Sequence, residues 1–175
     1  MNKYQRINQG VDLLFEFSSL KFLFVMYAFM CVWSKTVLES ILTLSLFIEY
    51  VSGFDLRSVY SYQSMPNVDV YSLIFTVPLL ETLIFQSVVQ NLIRRTTDST
   101  KWSIFIATSL FALTHAPVNV AYAINAFGLG LALATIYEYF RVHKNHLMAF
   151  KITFGIHAFW NGILAYGLFP DKLLS

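Results

Sequence analysis

Four polar side chains lie inside long apolar stretches of this chain: Glu81, His115, His157 and Asn161. An ionisable side chain at the centre of a bilayer costs about 2.5–3.5 kcal/mol on insertion scales, so such residues usually have a function. A carboxylate and an imidazole can activate water, and imidazole or amide N–H groups can stabilise an oxyanion. The four residue types therefore predict hydrolysis of an amide bond without a serine or cysteine nucleophile.

Spacing places these side chains on common helix faces. His157 and Asn161 are four residues apart, as are Phe111 and His115. Residues at this spacing lie on one face of an α-helix, so each pair can address one substrate atom. Gln86 follows Glu81 by five residues, and we expect it to support the site from the side.

Depth in the membrane gives a second reason to group the residues. At about 1.5 Å per residue, Glu81 lies roughly 20 Å from Arg94, and His115 lies roughly 21 Å from Lys101. His157 lies roughly 16 Å from the start of its own apolar stretch. If neighbouring helices pack antiparallel, the three side chains can meet at one depth in the bundle interior.

Composition defines the class of protein. Of the 175 residues, 57% are hydrophobic and only 13% are charged, whereas soluble domains have about 25% charged residues. The chain is therefore predicted to be an integral membrane protein with a single domain, 1–175. The net charge of +2 and the lack of Lys/Arg-rich runs exclude nucleic acid as a partner, and the single Cys31 excludes an internal disulfide.

Apolar runs and charged boundaries predict the helices. An N-terminal part, 1–69, contains Leu20–Val51, which fits either one long or two short helices, and a polar loop, Ser52–Asp69. The fold class that we expect is all-α: a polytopic transmembrane bundle of about six helices with the active site in its interior. Four spans are predicted to form a catalytic core at 70–169: Val70–Ile93, Trp102–Ala116, Val118–Phe140 and His146–Phe169.

Basic residues predict the orientation. Two groups of them, separated by two spans, must face the same side, which the positive-inside rule makes the cytoplasm. Lys3 and Arg6 also favour a cytoplasmic N-terminus, which requires an odd number of crossings before Ser52. The sequence leaves that number open. The two groups are Arg94, Arg95 and Lys101, and Arg141, Lys144 and Lys151.

Other roles remain open for the polar residues. A single intramembrane histidine often only hydrogen-bonds a neighbouring helix. A zinc site is an alternative, with Glu81, His115 and His157 as ligands, although no diagnostic ligand spacing occurs. Glu138 is expected at the membrane interface. The small residues at positions 128, 130, 132 and 134 are expected to form a helix-packing seam.

Three motifs resemble those of a known family. They read Glu-Thr-Leu-Ile-Phe-Gln at 81–86, Phe-Ala-Leu-Thr-His at 111–115 and His-Ala-Phe-Trp-Asn at 157–161. In order, spacing and placement on three spans, they are similar to the motifs of the CPBP superfamily of CAAX proteases and bacteriocin-processing enzymes, also called the Abi family. Its members are glutamic intramembrane endopeptidases.

The resemblance implies a role for each matching residue. Glu81 would be the general base on water, and His115 would help to activate that water. His157 and Asn161 would stabilise the oxyanion. Family members are described as metal-independent, so no cofactor is expected, with zinc as the alternative.

The first motif departs from the family pattern at two positions. The family has a second Glu and an Arg where this chain has Thr82 and Gln86. An ion pair is thus replaced by two neutral residues, which we expect to hydrogen-bond to each other. Thr82 and Gln86, with Phe85 and Phe111, are the predicted supporting residues.

The resulting hypothesis is an intramembrane endopeptidase that acts on a membrane-associated or C-terminally tagged peptide or protein. Its partners would be the bilayer and that substrate, in a bacterial inner or plasma membrane. The alternative is a non-catalytic membrane scaffold or bacteriocin self-immunity protein of the same family. A small transporter or proton relay is disfavoured, because no inverted repeat is visible.

Overall fold

The computed structural model describes residues 14–53, 69–117 and 120–168. Within these ranges there are no strands, so the all-α fold class is confirmed. The described residues do not include most of the predicted loop, 54–68, nor Lys3 and Arg6. Five long helices form: α1 (Ser19–Ser52), α2 (Ser72–Thr97), α3 (Thr100–His115), α4 (Val120–His143) and α5 (His146–Leu168).

Four of these helices, α1, α2, α4 and α5, are long and apolar enough to cross a membrane. The chain is therefore an integral, multi-pass membrane protein. The remaining helix, α3, has 16 residues and a length of about 24 Å, less than the hydrocarbon thickness of about 30 Å. By length alone, α3 is therefore too short to span the hydrocarbon region of a bilayer without tilt or extension.

Local capping explains where the helices end. α1 ends at Gly53, whose φ of 69° lies in the left-handed region that glycine adopts without strain. α2 ends at Asp98, with a φ of 53°. The next residue, Ser99, accepts the backbone N–H of Trp102 at 3.4 Å and caps the start of α3. This short connection makes α2 and α3 antiparallel neighbours.

The stretch Leu20–Val51, for which the sequence allowed one or two helices, lies within the single helix α1. α1 packs along α4: the ring of Phe22 stacks on that of Tyr139 at 3.9 Å. Further along, Ser34 Oγ donates to Asn125 Oδ1 at 2.9 Å. Among the described residues before Ser52, α1 is the one helix long and apolar enough to cross a membrane.

The predicted small-residue seam on α4 is confirmed. A Cβ at Gly128 would overlap the indole of Trp33 on α1, and a Cβ at Gly130 would lie 2.7 Å from Cδ1 of Phe111 on α3. Ala132 and Ala134 are fully buried on the same helix. The seam therefore lets two aromatic side chains approach the α4 backbone, one of them from the candidate site.

Glu138, which the sequence predicts to lie at the membrane interface, is buried in a network of ion pairs. Its side chain is 1% exposed and accepts hydrogen bonds from Arg94 Nε at 3.3 Å and from Arg141 Nε at 2.8 Å. A second Arg141 nitrogen and Thr100 Oγ1 contact the same carboxylate. Two guanidinium groups make burial of this charge tolerable, so Glu138 joins the end of α2, the start of α3 and the end of α4.

Candidate active site

The carboxylate of Glu81 lies between two imidazoles. Its Oε1 is 3.6 Å from His115 Nε2, and its Oε2 is 3.4 Å from His157 Nε2. Three helices supply these groups: α2, α3 and α5. The structure thus brings together three of the four polar residues on which the sequence argument rested.

The winding of α2 positions Glu81. Residues Ser72–Thr76 and Thr82–Gln90 are π-helical, with a short α-helical segment, Val77–Glu81, between them. In a π-helix each N–H bonds the carbonyl five residues earlier, which widens the turn, and such turns are frequent at functional sites. Glu81 is the last residue of the α-helical segment, where the winding changes.

Hydrogen bonding assigns the tautomer of His115. Its Nδ1 lies 2.8 Å from the backbone carbonyl oxygen of Phe111. A carbonyl only accepts, so Nδ1 carries the hydrogen and donates it. In the neutral ring, Nε2 therefore presents a lone pair on the side of Glu81. His115 is accordingly equipped to accept a proton from a water held beside the carboxylate.

His157 has the opposite arrangement. Its Nδ1 lies 3.4 Å from Thr82 Oγ1. When the hydroxyl donates to Nδ1, the neutral ring carries its hydrogen on Nε2, which faces Glu81. His157 then presents an N–H donor to the site, while His115 presents an acceptor. With these tautomers, His157 donates a hydrogen bond into the site and His115 assists Glu81 in taking a proton from water.

Removal of the Thr82 hydroxyl tests this assignment. Thr82→Val keeps the side-chain shape but cannot orient His157, so we expect turnover to fall about five- to tenfold, the equivalent of one hydrogen bond of ~1 kcal/mol. Thr82→Ser keeps the hydroxyl and should retain turnover. The measurement is kcat in proteoliposomes.

The matched control for this prediction is Thr108→Val. Thr108 is also fully buried, but its Oγ1 has no hydrogen-bond partner among the described residues. Its replacement should therefore leave kcat unchanged. Equal losses from Thr82→Val and Thr108→Val would contradict an orienting role for Thr82.

Aromatic rings hold the histidines in place. Phe111 is fully buried, and its ring centroid lies 4.7 Å from that of His115 and 5.9 Å from that of His157. Phe85 packs edge-on against Phe111 at 5.5 Å. Tyr122 of α4, which the motifs did not indicate, lies 5.1 Å from His115. The position of Tyr122 in the sequence did not indicate that it belongs to the site, because only the packing of α4 against α3 brings it beside His115.

Thr82 and Gln86 do not form the expected hydrogen-bonded pair. The Thr82 hydroxyl pairs with His157 instead. Gln86 is fully buried, and neither atom of its amide has a hydrogen-bond partner among the described residues. The expected pair was based on the Glu and Arg that the family has at these two positions. It does not form, because α5 packs against α2 and brings His157 to the Thr82 hydroxyl.

Asn161 contacts the backbone of α2. Its Nδ2 donates to the carbonyl oxygen of Leu73 at 3.0 Å. Side-chain spacing alone could not reveal this contact, because the acceptor is a backbone group. One signal was present in the sequence: Pro78, a residue without an N–H, lies five positions after Leu73 inside an apolar span.

Glu81, His115 and His157 are also the side chains that the sequence suggests as zinc ligands. Glu81, His115 and His157 meet, but the two imidazoles approach different oxygens of the carboxylate. No group of three His, Cys, Asp or Glu side chains suited to hold a metal occurs in the part of the chain that the structure describes. We therefore derive the chemistry of the site from its side chains.

Comparison with known proteins identifies the family. A family model described as type II CAAX prenyl endopeptidase Rce1-like matches residues 63–163, which is more than half of the chain and includes all three motifs. No curated protein and no solved structure matches the chain. Since the match covers the helices that carry Glu81, His115 and His157, this chain belongs to the Rce1-like family of type II CAAX prenyl endopeptidases.

Proposed function

We propose that this protein is an intramembrane endopeptidase of the glutamic type. It hydrolyses a peptide bond of a membrane-associated or C-terminally tagged peptide. The observation that carries the proposal is the position of the Glu81 carboxylate, 3.6 Å from one imidazole Nε2 and 3.4 Å from another. Membership of a CAAX endopeptidase family supports the same reaction class.

The reaction follows from the assigned roles. A water beside Glu81 and His115 gives one proton to the Glu81 carboxylate, with His115 assisting, and attacks the scissile carbonyl carbon. The C=O electrons move to the oxygen, and the His157 Nε2–H donates a hydrogen bond to the resulting oxyanion. When the tetrahedral intermediate collapses, the C–N bond breaks and the proton passes to the leaving amine. No covalent intermediate with the enzyme is required.

Side-chain exposure agrees with this division of roles. Glu81 is 20% exposed and His115 is 14% exposed, whereas His157 is 1% exposed. The two groups that take the proton are thus partly accessible from outside the helix bundle, and the donor is enclosed. A hydrogen bond to an oxyanion is stronger where water is excluded, so the enclosed position suits His157.

An apolar groove between α2 and α5 suits a substrate that lies in the membrane. It has a volume of about 580 Å³, with Ile74, Phe75, Ala158 and Phe159 among its walls. The groove lies between the two helices that carry Glu81 and His157, although neither side chain lines it. Two of its aromatic walls, Phe75 and Phe159, are exposed toward the surroundings of the bundle. A lipid-anchored or transmembrane segment can enter from the bilayer.

Reconstitution tests the proposal. Purified protein in proteoliposomes is mixed with peptides that carry a C-terminal prenyl group, with transmembrane peptides and with unanchored peptides of the same sequences. We expect cleavage of an anchored set at one internal bond. In oxygen-18 water, mass spectrometry should find the label in the new C-terminal carboxyl group, because water is the nucleophile.

The same assay decides the metal alternative. A chelator should leave the rate unchanged, and metal analysis should find no stoichiometric zinc. Loss of activity with chelator that zinc restores would overturn the metal-free mechanism. Folded protein that cleaves none of the peptide sets would count against endopeptidase activity and favour the non-catalytic scaffold.

A further inference from the structure

Pro78 interrupts the hydrogen-bond series of α2. In the widened turn Ser72–Thr76, the N–H of Val77 donates to the carbonyl oxygen of Ser72, five residues earlier. The next donor in this series would be the N–H of residue 78, with the carbonyl of Leu73 as its acceptor. Proline has no N–H, so this bond cannot form and the Leu73 carbonyl lacks its helical partner.

Asn161 supplies the missing donor. Its Nδ2 lies 3.0 Å from Leu73 O. A backbone carbonyl in the apolar part of a membrane must be satisfied within the protein, because lipid offers no hydrogen bond. The contact between α5 and α2 therefore replaces the bond that Pro78 removes.

The contact also fixes the spacing of two catalytic groups. Leu73 and Glu81 lie on α2, and Asn161 and His157 lie on α5. The two helices are held together at two levels: by Asn161 at Leu73, and by His157 Nε2 at 3.4 Å from Glu81 Oε2. Between these levels lies Pro78, where α2 is least able to hold its own geometry. Loss of the Asn161 contact would therefore let Glu81 move relative to His157.

We propose that Asn161 is a positioning residue that binds the Leu73 carbonyl freed by Pro78 and so holds Glu81 in register with His157. This role rests on the proposed function, because its consequence is the geometry of the catalytic pair. It differs from donation to the oxyanion, in which Asn161 would touch the substrate itself.

A double-mutant cycle separates the two roles. We expect Asn161→Ala to lower kcat by about 10²-fold, the usual effect of a misplaced catalytic group, with a smaller change in KM. In Asn161→Ala/Pro78→Ala, the new N–H of residue 78 can donate to Leu73 O, so most of the lost kcat should return. Pro78→Ala alone should stay close to the unmodified protein. An oxyanion donor could not be replaced in this way.

Gln90 provides the matched control. Its Nε2 donates to the carbonyl of Ala134 at 2.9 Å, which is also an amide–carbonyl contact between helices. No proline underlies that bond, so the effects of Gln90→Ala and Pro78→Ala should add. Thermal unfolding in detergent measures the stability of the variants in both cycles, Asn161→Ala with Pro78→Ala and Gln90→Ala with Pro78→Ala. Pro78→Ala should restore stability only to the Asn161 variant.

The outcomes are distinguishable. Recovery of kcat, or of folding if Asn161→Ala alone does not fold, supports the proposal. If the effects of Asn161→Ala and Pro78→Ala on kcat are additive, the positioning role of Asn161 is overturned. The endopeptidase function still stands in that case, provided that Glu81→Gln is inactive. Full turnover by Glu81→Gln would instead remove the proposed function, whatever the result of the cycle.

Discussion

Glu81→Gln is expected to lower kcat by about 10²–10⁴-fold, the usual contribution of a general base. The amide has the shape of the carboxyl group but cannot take a proton from water. Its environment would otherwise persist, since His115 and His157 remain 3.6 and 3.4 Å from the replaced group. The measurement is kcat in proteoliposomes with a peptide that the unmodified protein cleaves.

Stability should not fall with this loss of activity. Glu81 is only partly exposed and has no cationic Lys or Arg within salt-bridge distance in the described part of the chain. Replacement of a desolvated carboxyl group by a neutral amide removes an unfavourable charge. Glu39→Gln is the control, since Glu39 is exposed and pairs with Lys35 at 3.8 Å. Unchanged turnover in Glu81→Gln would exclude Glu81 as the base.

Glu138→Gln is expected to cause the largest loss of stability, about 3–5 kcal/mol, the usual cost of breaking a buried ion pair from one side. The carboxylate is 1% exposed and faces Arg94 and Arg141, whose side chains are 20% and 17% exposed. The neutral amide would leave two partly buried guanidinium groups without their shared anion. Equilibrium unfolding in mixed detergent micelles measures the change in the free energy of unfolding.

An exposed ion pair provides the comparison. Lys35 and Glu39 lie 3.8 Å apart with side chains 76% and 67% exposed. Solvent screens such pairs, which contribute about 0–1 kcal/mol, so Lys35→Gln should hardly change the unfolding free energy. A loss for Glu138→Gln no larger than that for Lys35→Gln would show that the buried network does not hold these helix ends together.

The general fold follows from local properties of the sequence. Long apolar runs and their charged boundaries predicted the helices that became α2, α4 and α5, because membrane insertion depends on the hydropathy of each segment by itself. The same holds for the motif residues: i,i+4 spacing on a helix is a local property, so the shared faces of Phe111 with His115 and of His157 with Asn161 were predictable.

Contacts between helices were less predictable. The sequence could not show that the Glu138 side chain is buried, since its burial depends on whether Arg94 of another helix reaches it. It also could not decide between one and two helices before Ser52, where Lys35 and Glu39 interrupt the apolar run. The partner of Thr82 was mistaken for a similar reason, since His157 comes from a distant part of the chain.

By itself, the sequence determined the class of protein, an all-α membrane bundle, and the identity of its chemical groups. Hydropathy, charge and residue type are properties of single segments and do not depend on their neighbours. Only the tertiary structure decided how those groups meet: the two imidazoles at Glu81, the ion pairs of Glu138 and the bond from Asn161 to Leu73. Each of these depends on distances between helices, which packing sets and spacing along one helix cannot specify.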